Sequence, residues 1–289
     1  MMNKLSIVIP VYNEEEGIIE AIHRITETMI NSGIIYEIIV VDDGSKDKTA
    51  DLLKGKDNFT VIRHSVNKGY GASLLDGIRK SKYEYVAIID ADGTYPYEDI
   101  PKLCLQLKDE DYDMIVGVRT GKHALGSYPR RIAKWFITNL ANYLVGERIL
   151  DINSGMRIIK KDMVLKFSNI LPQNFSFTTT ITLAMLSNNY NVKYVPIAYN
   201  KRKGGKSKIK PLQETFNFIQ LIIRTTMYFN PLKIFLPIGV ILFIAMVISI
   251  IFDIYHNNLT DKTAILVTLF FIVSTVGALA DLIDKRLAK

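Results

Sequence analysis

Two uncharged, mostly aliphatic stretches near the end of the chain, 234–252 and 263–280, restrict its fold most strongly. Each has close to the ~20 residues that a helix needs to cross the hydrocarbon core of a bilayer. Both are apolar on every face, whereas a surface helix of a soluble domain keeps one polar face. The sequence therefore predicts two transmembrane helices, Ile234–Phe252 and Thr263–Ala280.

Lysine and arginine residues lie mainly before the first stretch and after the second, and few lie between the two. The link between them, Asp253–Lys262, contains one lysine and no arginine, and the outer flanks carry Arg224, Lys233, Lys285, Arg286 and Lys289. Because loops rich in lysine and arginine remain in the cytoplasm, we expect both outer flanks there and the link outside. This predicts an integral protein of the plasma membrane with its remaining domain on the cytoplasmic face.

The net charge and the cysteine content limit the expected binding partners and the cellular compartment. The formal net charge is +7, and the single cysteine, Cys104, excludes an internal disulfide and suits a reducing compartment. Because the chain is basic and has two predicted spans, an anionic lipid surface is a better candidate partner than nucleic acid. We therefore expect a bilayer as a partner and no nucleic acid.

The first two thirds of the chain alternate short apolar runs with helical patterns. Five runs are predicted as strands, namely Leu5–Val11, Ile38–Val41, Phe59–Arg63, Val86–Ile89 and Met114–Val118. Strands separated by helices indicate βαβ units and a mainly parallel, doubly wound α/β sheet. Predicted helix starts are Asn13 with Glu16, then Ser45 or Asp47, then Pro96 or Pro101.

Polar residues follow four of the predicted strands. The clusters are Tyr12-Asn13-Glu14, Asp42-Asp43, Asn67-Lys68-Gly69 and Asp90-Ala91-Asp92. Ligands of such sheets bind beyond the carboxyl ends of the strands, so these clusters predict one site. Asp90 and Asp92 are two positions apart, so both can reach one hard cation such as Mg²⁺. The alternative for this pair is an ordinary solvated turn.

A dinucleotide site is the competing interpretation of one of these clusters. Gly69-Tyr70-Gly71 follows a strand and precedes a helix, with Asp90 about twenty residues further on. The third glycine of that fingerprint is missing, and the motif follows the third strand rather than the first. An NAD-type reductase is therefore disfavoured.

Several motifs in fixed order resemble the family 2 glycosyltransferases. They are V-I-P-V-Y-N-E-E at Val8–Glu15, V-V-D-D-G-S at Val40–Ser45, N-K-G at Asn67–Gly69 and D-A-D at Asp90–Asp92. The segment D-I-N-S-G-M-R at Asp151–Arg157 and the basic loop around Gly205–Lys208 resemble the polyprenyl-phosphate sugar transferases. These include dolichol-phosphate mannose synthase and dolichyl-phosphate glucosyltransferase.

The resemblance covers Leu5 to about Pro211 and implies a GT-A, Rossmann-like catalytic domain over 1–211. The residue pattern adds a membrane-proximal amphipathic segment over 212–233 and the spans 234–252 and 263–280. The resemblance implies inverting transfer of a hexose from a UDP-sugar or GDP-mannose to a polyprenyl phosphate. Gly93, after the D-A-D, is closer to glucosyl enzymes than to many mannose synthases. The donor sugar and nucleotide stay open.

The resemblance also assigns roles to residues. The expected nucleotide-sugar contacts are Pro10, Tyr12, Glu14, Asp42, Asp43, Lys68, Asp90, Ala91 and Asp92. Asp42 is expected to contact the nucleobase and Asp43 the ribose, while Asp90 and Asp92 hold Mg²⁺ or Mn²⁺. The alternative interpretations are structural: Glu14 would interact with the dipole of the following helix at its first turn, and Asp43 would be an ordinary turn residue. The expected catalytic residues are Asp90, Asp92, Arg119 and Arg202.

A basic run, 201–210, is the predicted clamp for the lipid phosphate. It contains six cations and no acid, namely Lys201, Arg202, Lys203, Lys206, Lys208 and Lys210. The expected acceptor-phosphate contacts are Arg119, Arg130, Arg131, Ser154, Arg157, Arg202, Ser207 and Lys208. The alternative for the run is a solvated or lipid-touching patch. A phosphate is already largely anionic at neutral pH, so the sequence predicts no general base.

The segment 130–146 has the pattern of an amphipathic helix. Its apolar stripe contains Ile132, Trp135, Phe136, Leu140, Tyr143 and Leu144, and its start is basic. Aromatic residues beside cations suit a helix lying in the lipid headgroup layer. Packing of the same stripe on the sheet is the equal alternative.

Two other functions share part of this pattern. A processive polysaccharide synthase usually has Q-x-x-R-W, which is absent from this sequence, and more spans. A non-catalytic membrane adaptor with a degenerate transferase domain would be expected to have lost metal-site carboxylates, whereas Asp90 and Asp92 are both present. The sequence leaves open a homo-oligomer formed through the spans.

Overall fold

The computed structural model describes residues 4–109, 111–121, 128–174, 176–200 and 211–287. Seven strands in this part of the chain form one sheet: β1 Lys4–Val11, β2 Ile35–Asp42, β3 Thr60–Arg63, β4 Tyr85–Ile88, β5 Met114–Thr120, β6 Arg157–Lys160 and β7 Val192–Ala198. Their order across the sheet is β3-β2-β1-β4-β6-β5-β7. All neighbouring strands are parallel except β6, which is antiparallel to both β4 and β5.

Helices cover both faces of this sheet. The helices are α1 Ile18–Ser32, α2 Thr49–Leu53, α3 Tyr70–Lys80, α4 Ile100–Asp109, α5 Tyr128–Val145, α6 Lys161–Lys166, α7 Phe177–Ser187, α8 Pro211–Phe229, α9 Leu232–Tyr255 and α10 Asp261–Leu287. One apolar core lies between the sheet and α1 with α4, and a second lies between the sheet and α3, α6 and α7. The doubly wound, mainly parallel sheet is thus as predicted.

The five predicted strands are present, with one boundary that matters for the site. β4 ends at Ile88, so Asp90 and Asp92 lie in the following loop and not on the strand itself. β6 and β7 were not predicted. β6 is only four residues long and has a cation at each end, which hides its apolar centre.

The predicted starts of the helices are right in one case of three. Pro96 precedes a 3-10 turn, Tyr97–Asp99, and Pro101 lies in the first turn of α4. Asp47 accepts a hydrogen bond from the backbone of Thr49 at the start of α2, although Lys48 holds the capping position. Asn13 does not cap α1. Its backbone has φ of 56° and its amide oxygen accepts the Lys46 N–H instead.

A third apolar cluster joins α5, α7 and α8. Ile137, Ala141 and Leu144 of α5 and Ile222 of α8 are buried in it. The predicted stripe of α5 is therefore divided between two faces. Trp135, Phe136 and Tyr143 lie on the other face and are 68%, 51% and 57% exposed.

The two C-terminal helices, α9 and α10, are long and apolar enough to cross a membrane. They pack against each other as a hairpin and expose most of their aliphatic side chains. At the closed end of the hairpin, the Asp253 carboxylate accepts hydrogen bonds from the backbone and hydroxyl of Thr260. Ser249 and Thr263 share a hydrogen bond of 2.6 Å between the helices.

Candidate active site

The carboxyl ends of β2, β1 and β4 lie side by side and bring the predicted acidic residues to one edge. Asp42 pairs with Val11 across β2 and β1, and Val8 pairs with Ile88 across β1 and β4. Neighbouring strands are ~4.8 Å apart, so β2 and β4 are separated by roughly 10 Å across the sheet, and β4 ends three residues before the level at which β2 ends. That span suits a ligand about the size of a nucleoside diphosphate.

Asp42 is fully buried at the end of β2. Its Oδ1 accepts the backbone N–H of Ser45 at 2.9 Å. Its Oδ2 has no hydrogen bond within the described part of the chain, but it lies 3.3 Å from Arg63 Nε in an ion pair. A cavity of about 290 Å³ lies beside this pair and is lined also by Lys54, Lys56 and Phe59. Asp42 is thus an acceptor at the wall of a cavity.

Asp43 has a different environment, because its carboxylate contacts protein groups on both oxygens. It accepts the backbone N–H groups of Lys68 and Gly69 at 2.8 Å each. Its Oδ1 is also 2.7 Å from His64 Nδ1, and His64 Nε2 is 3.1 Å from Asp76 of α3. Through these hydrogen bonds, the Asp43 carboxylate fixes the backbone of the Asn67–Gly69 loop.

The first loop contributes an exposed aromatic ring and a carboxylate. Tyr12 is 39% exposed, and the Glu14 backbone is fixed by its bond to the Thr49 hydroxyl. A narrow cavity of about 50 Å³ is lined by Glu14, Ala91 and Asp92 together. Three predicted nucleotide-sugar residues thus meet at one opening.

Asp90 is held by a group that the sequence did not single out. Tyr70 donates from its hydroxyl to Asp90 Oδ1 at 2.9 Å, and Tyr97 donates to the Asp90 backbone oxygen. Burial, and next the charge of Asp90, raise the pKa of the Tyr70 phenol well above its usual value. The phenol consequently remains protonated and available as a donor.

Asp92 lies two residues further on in a tight turn. Its Oδ1 accepts from the Thr94 hydroxyl at 2.6 Å and from the Thr94 backbone at 3.1 Å, and Gly93 between them has φ of +70°. Asp90 and Asp92 together offer hard carboxylate oxygens of the type that Mg²⁺ and Mn²⁺ accept. Among the described residues no group of three or more His, Cys, Asp or Glu could hold a metal ion. A cation at this turn would have these two carboxylates as ligands and would take its other ligands from phosphate and water.

Arg119 at the end of β5 forms a bidentate pair with Asp151. Its Nε and Nη2 each donate to a different Asp151 oxygen at 2.8 Å, and Asp151 is almost fully buried. Burial lowers the pKa of Arg119, but hydrogen bonding to Asp151 and its charge raise it by more, so that the net pKa is raised. Arg119 is thus a permanently charged group with a fixed orientation.

Ser154 and Arg157, two of the predicted acceptor-phosphate residues, are buried in this structure. Both are 0% exposed. The Arg157 guanidinium donates to the backbone oxygens of Ser154 and Thr178 and to the Thr182 hydroxyl. Desolvation lowers its pKa. Arg157 therefore ties β6 to α7, and its predicted contact with the acceptor phosphate stays a prediction.

Other predicted acceptor residues are not described. Arg202, Ser207 and Lys208 lie outside the described residues, as do the side chains of Arg130 and Arg131. Their roles remain predictions.

Sequence reasoning missed Tyr70, His64 and Tyr95, whose contacts define the site. Tyr95 accepts the Gly155 N–H at 2.7 Å through its hydroxyl oxygen. The proximity of Tyr70 to the N-K-G motif and of Tyr95 to the D-A-D motif was the available signal. Aromatic residues next to acidic motifs are common, so this signal alone does not distinguish Tyr70 and Tyr95 from tyrosines that lie outside a site.

Comparison with known proteins places the chain among sugar transferases. Residues 6–166, more than half of the chain, match the model "Glycosyl transferase family 2". A curated relative, the low-salt glycan biosynthesis hexosyltransferase Agl6 of Haloferax volcanii, is 29% identical over 204 residues, which cover 69% of this chain and 48% of the relative. The chain thus spans about half the length of that relative.

Solved structures share the fold. Glucosyl-3-phosphoglycerate synthase from Mycobacterium tuberculosis, with phosphoglyceric acid, matches at 18% identity and TM-score 0.61 over 78% of this chain and 80% of that one. The same synthase with Mn²⁺, uridine diphosphate and glucosyl-3-phosphoglycerate matches at 19% identity and TM-score 0.58, over 78% and 79%. These matches confirm the predicted GT-A type of α/β fold.

Proposed function

The chain belongs to glycosyl transferase family 2, and we propose that it transfers a hexose from a nucleoside-diphosphate sugar to the phosphate of a membrane polyprenol. The main support is the combination, in one chain, of an acidic sheet edge with two helices apolar enough to cross a bilayer. A nucleotide sugar is water-soluble, whereas a polyprenyl phosphate lies in the membrane. An enzyme that joins them needs a site for the nucleotide sugar and access to the membrane, and these two features would supply both.

The donor would bind along the edge from Asp42 to Asp92. Asp42 offers its buried acceptor to the nucleobase, with Tyr12 exposed nearby as a stacking surface. Asp43 acts on the donor indirectly, since its carboxylate positions the Lys68 and Gly69 backbone. The relative is named a hexosyltransferase and the structural neighbours bind uridine diphosphate and UDP-glucose, which supports a hexosyl nucleotide as donor.

Asp90 and Asp92 would hold Mg²⁺ or Mn²⁺ at the diphosphate. When bound, the cation neutralises charge that develops on the leaving nucleoside diphosphate. The chain itself contributes the orientation of both carboxylates, through Tyr70 at Asp90 and Thr94 at Asp92. Structural neighbours contain Mn²⁺ or Mg²⁺ with uridine diphosphate, which supports this assignment.

The acceptor phosphate needs positioning more than deprotonation. Its second pKa is about 6, so the attacking oxygen is largely anionic at neutral pH. Arg119, fixed by Asp151, would compensate charge from the end of β5, and Arg202, Ser207 and Lys208 would close over the phosphate. Attack from the face opposite the diphosphate inverts the anomeric carbon, giving a β-linked product from an α-linked donor.

The membrane placement follows from the hairpin and from α5. The Tyr143 hydroxyl of α5 is 3.5 Å from the Lys233 backbone oxygen at the start of α9. Exposed Trp135 and Phe136 lie on the same helix. We assign α5 to the headgroup layer because aromatic side chains prefer the membrane–water interface, and to its cytoplasmic side because the cations flanking the spans lie there.

The test is transfer in isolated membranes. Membranes containing the full chain are incubated with radiolabelled UDP-glucose, UDP-N-acetylglucosamine or GDP-mannose and extracted with organic solvent. Label in a short lipid supports the proposal. Label in a large polymer would favour a processive polysaccharide synthase, and no label with any donor would favour a non-catalytic adaptor.

A further inference from the structure

We propose that Tyr70 is a positioning residue for the metal-binding carboxylate: its hydroxyl orients Asp90 and links that residue to the loop held by Asp43. This inference rests on the proposed function, because it assigns the support of the donor site. Tyr70 itself contacts Asp90 and is not proposed to touch the sugar.

The Asp90 carboxylate is confined on both of its oxygens. Oδ1 accepts the Tyr70 hydroxyl at 2.9 Å. On the other side, a Cβ added at Gly155 would lie only 2.5 Å from Oδ2, so that the Gly155 backbone closely limits this oxygen. The last torsion of an aspartate is broad, and it is narrowed only by contacts of this kind. Tyr70 therefore sets the plane in which Asp90 presents its oxygens.

Tyr70 is in turn fixed by the residues before it. It is the first residue of α3, and Gly69 precedes it with φ of +105°. The Gly69 N–H is bound to Asp43, and a Cβ at Gly69 would lie 2.4 Å from the backbone oxygen of Gln173. The same oxygen accepts the Ala72 N–H. The backbone at the start of α3 is thus held from two sides, which fixes the point from which the Tyr70 side chain reaches Asp90.

A continuous chain of contacts consequently runs from one part of the edge to the other. It begins at Asp43, passes through the Gly69 backbone to Tyr70, and ends at Asp90. Partners that orient a metal ligand typically contribute 10–100-fold to metal affinity. Loss of the Tyr70 hydroxyl should accordingly weaken cation binding and spare the nucleotide pocket at Asp42.

The test uses the full chain in detergent and the variant Tyr70→Phe. Binding of Mn²⁺ is measured by electron paramagnetic resonance in the presence of UDP and, separately, GDP. We expect the Mn²⁺ dissociation constant to rise about tenfold or more. Binding of the same nucleotides in EDTA, measured by calorimetry, should change less than threefold. A purely structural role of Tyr70 would weaken both.

Tyr190→Phe is the matched control. Its hydroxyl accepts a hydrogen bond from Lys166 Nζ and does not belong to the proposed donor site. We expect its Mn²⁺ affinity to remain within threefold of the original chain. Gly155→Ala is a second variant, since it crowds Asp90 from the opposite side, and should reproduce the Tyr70→Phe pattern.

An unchanged Mn²⁺ affinity in Tyr70→Phe would overturn the inference, as would equal losses in Tyr70→Phe and Tyr190→Phe. If Tyr70→Phe fails to fold, Gly155→Ala decides: unchanged Mn²⁺ affinity there also overturns it. If the original chain binds Mn²⁺ with neither nucleotide, the proposed metal role and this inference fail together. If metal binding follows expectation but no sugar is transferred, the proposed function fails and the role of Tyr70 stands.

Discussion

Arg119 and Asp151 form a bidentate, largely buried ion pair between the end of β5 and the loop before β6. The Arg119 backbone N–H also donates to Asp151. The pair joins two segments that are 32 residues apart in the chain. It therefore has a structural effect as well as an effect on the charge of the site.

Asp151→Ala should destabilise the catalytic domain, because it leaves the buried guanidinium without its partner. Breaking a buried pair of this kind costs about 3 kcal/mol. We expect a clear fall in the Tm of the full chain, followed by differential scanning fluorimetry in detergent. Lys54→Ala, which removes an exposed ion pair with Asp51, is the control and should lower Tm less. Equal Tm values for Asp151→Ala and the original chain would contradict this account.

Asp92→Asn should reduce turnover strongly and leave folding almost unchanged. Asp92 lies in a partly exposed turn, and an amide oxygen can still accept from Thr94. An amide is, however, a poorer ligand for a hard cation than a carboxylate. We expect at least a hundredfold loss of kcat and complete loss of activity of the original chain in EDTA. Full activity in the chelator would remove the metal from the mechanism.

Topology can be tested by thiol labelling of intact cells. Asn258 is exposed in the link between the two spans, and its backbone lacks the positive φ of Asn257. In a Cys104→Ser background, a cysteine replacing Asn258 should react with an impermeant maleimide, whereas one replacing Ala288 should not. The reverse pattern would place the catalytic domain outside the cytoplasm.

Trp135, the chain's single tryptophan, reports on the proposed membrane contact of α5. Its side chain is 68% exposed. In vesicles, its fluorescence should be quenched by lipids brominated near the headgroup, and weakly by iodide in water. Strong quenching by iodide with none by brominated lipid would place this face of α5 in solvent.

The sequence was informative where a pattern has a local cause. Alternating strands and helices follow from short-range periodicity, and the carboxyl edge of a parallel sheet then brings Asp42 and Asp90 together. The role of Arg157 could not be found in this way. Its burial depends on Thr178 and Thr182 of α7, some twenty residues further on, and an arginine in a motif looks the same whether it binds phosphate or carbonyl groups.

The glycines around Tyr70 also owe their role to a contact with a distant part of the chain, which a local pattern does not predict. Gly69-Tyr70-Gly71 suggested part of a phosphate-binding fingerprint, but a Cβ at Gly71 would lie 2.1 Å from the backbone oxygen of Pro172. These glycines allow a distant loop to pack on the start of α3. Periodicity and spacing carry no information about such a contact, which is why the support of Asp90 emerged only from the structure.

The most direct test of the account is transfer by the purified full chain to defined acceptors in detergent. With Mn²⁺ and a radiolabelled nucleotide sugar, we expect label in the lipid fraction only when a polyprenyl phosphate is added. Mass spectrometry should find one hexose added to that phosphate, and NMR should find it β-linked. Equal transfer to the polyprenol without phosphate, or to a water-soluble acceptor alone, would contradict the proposed function.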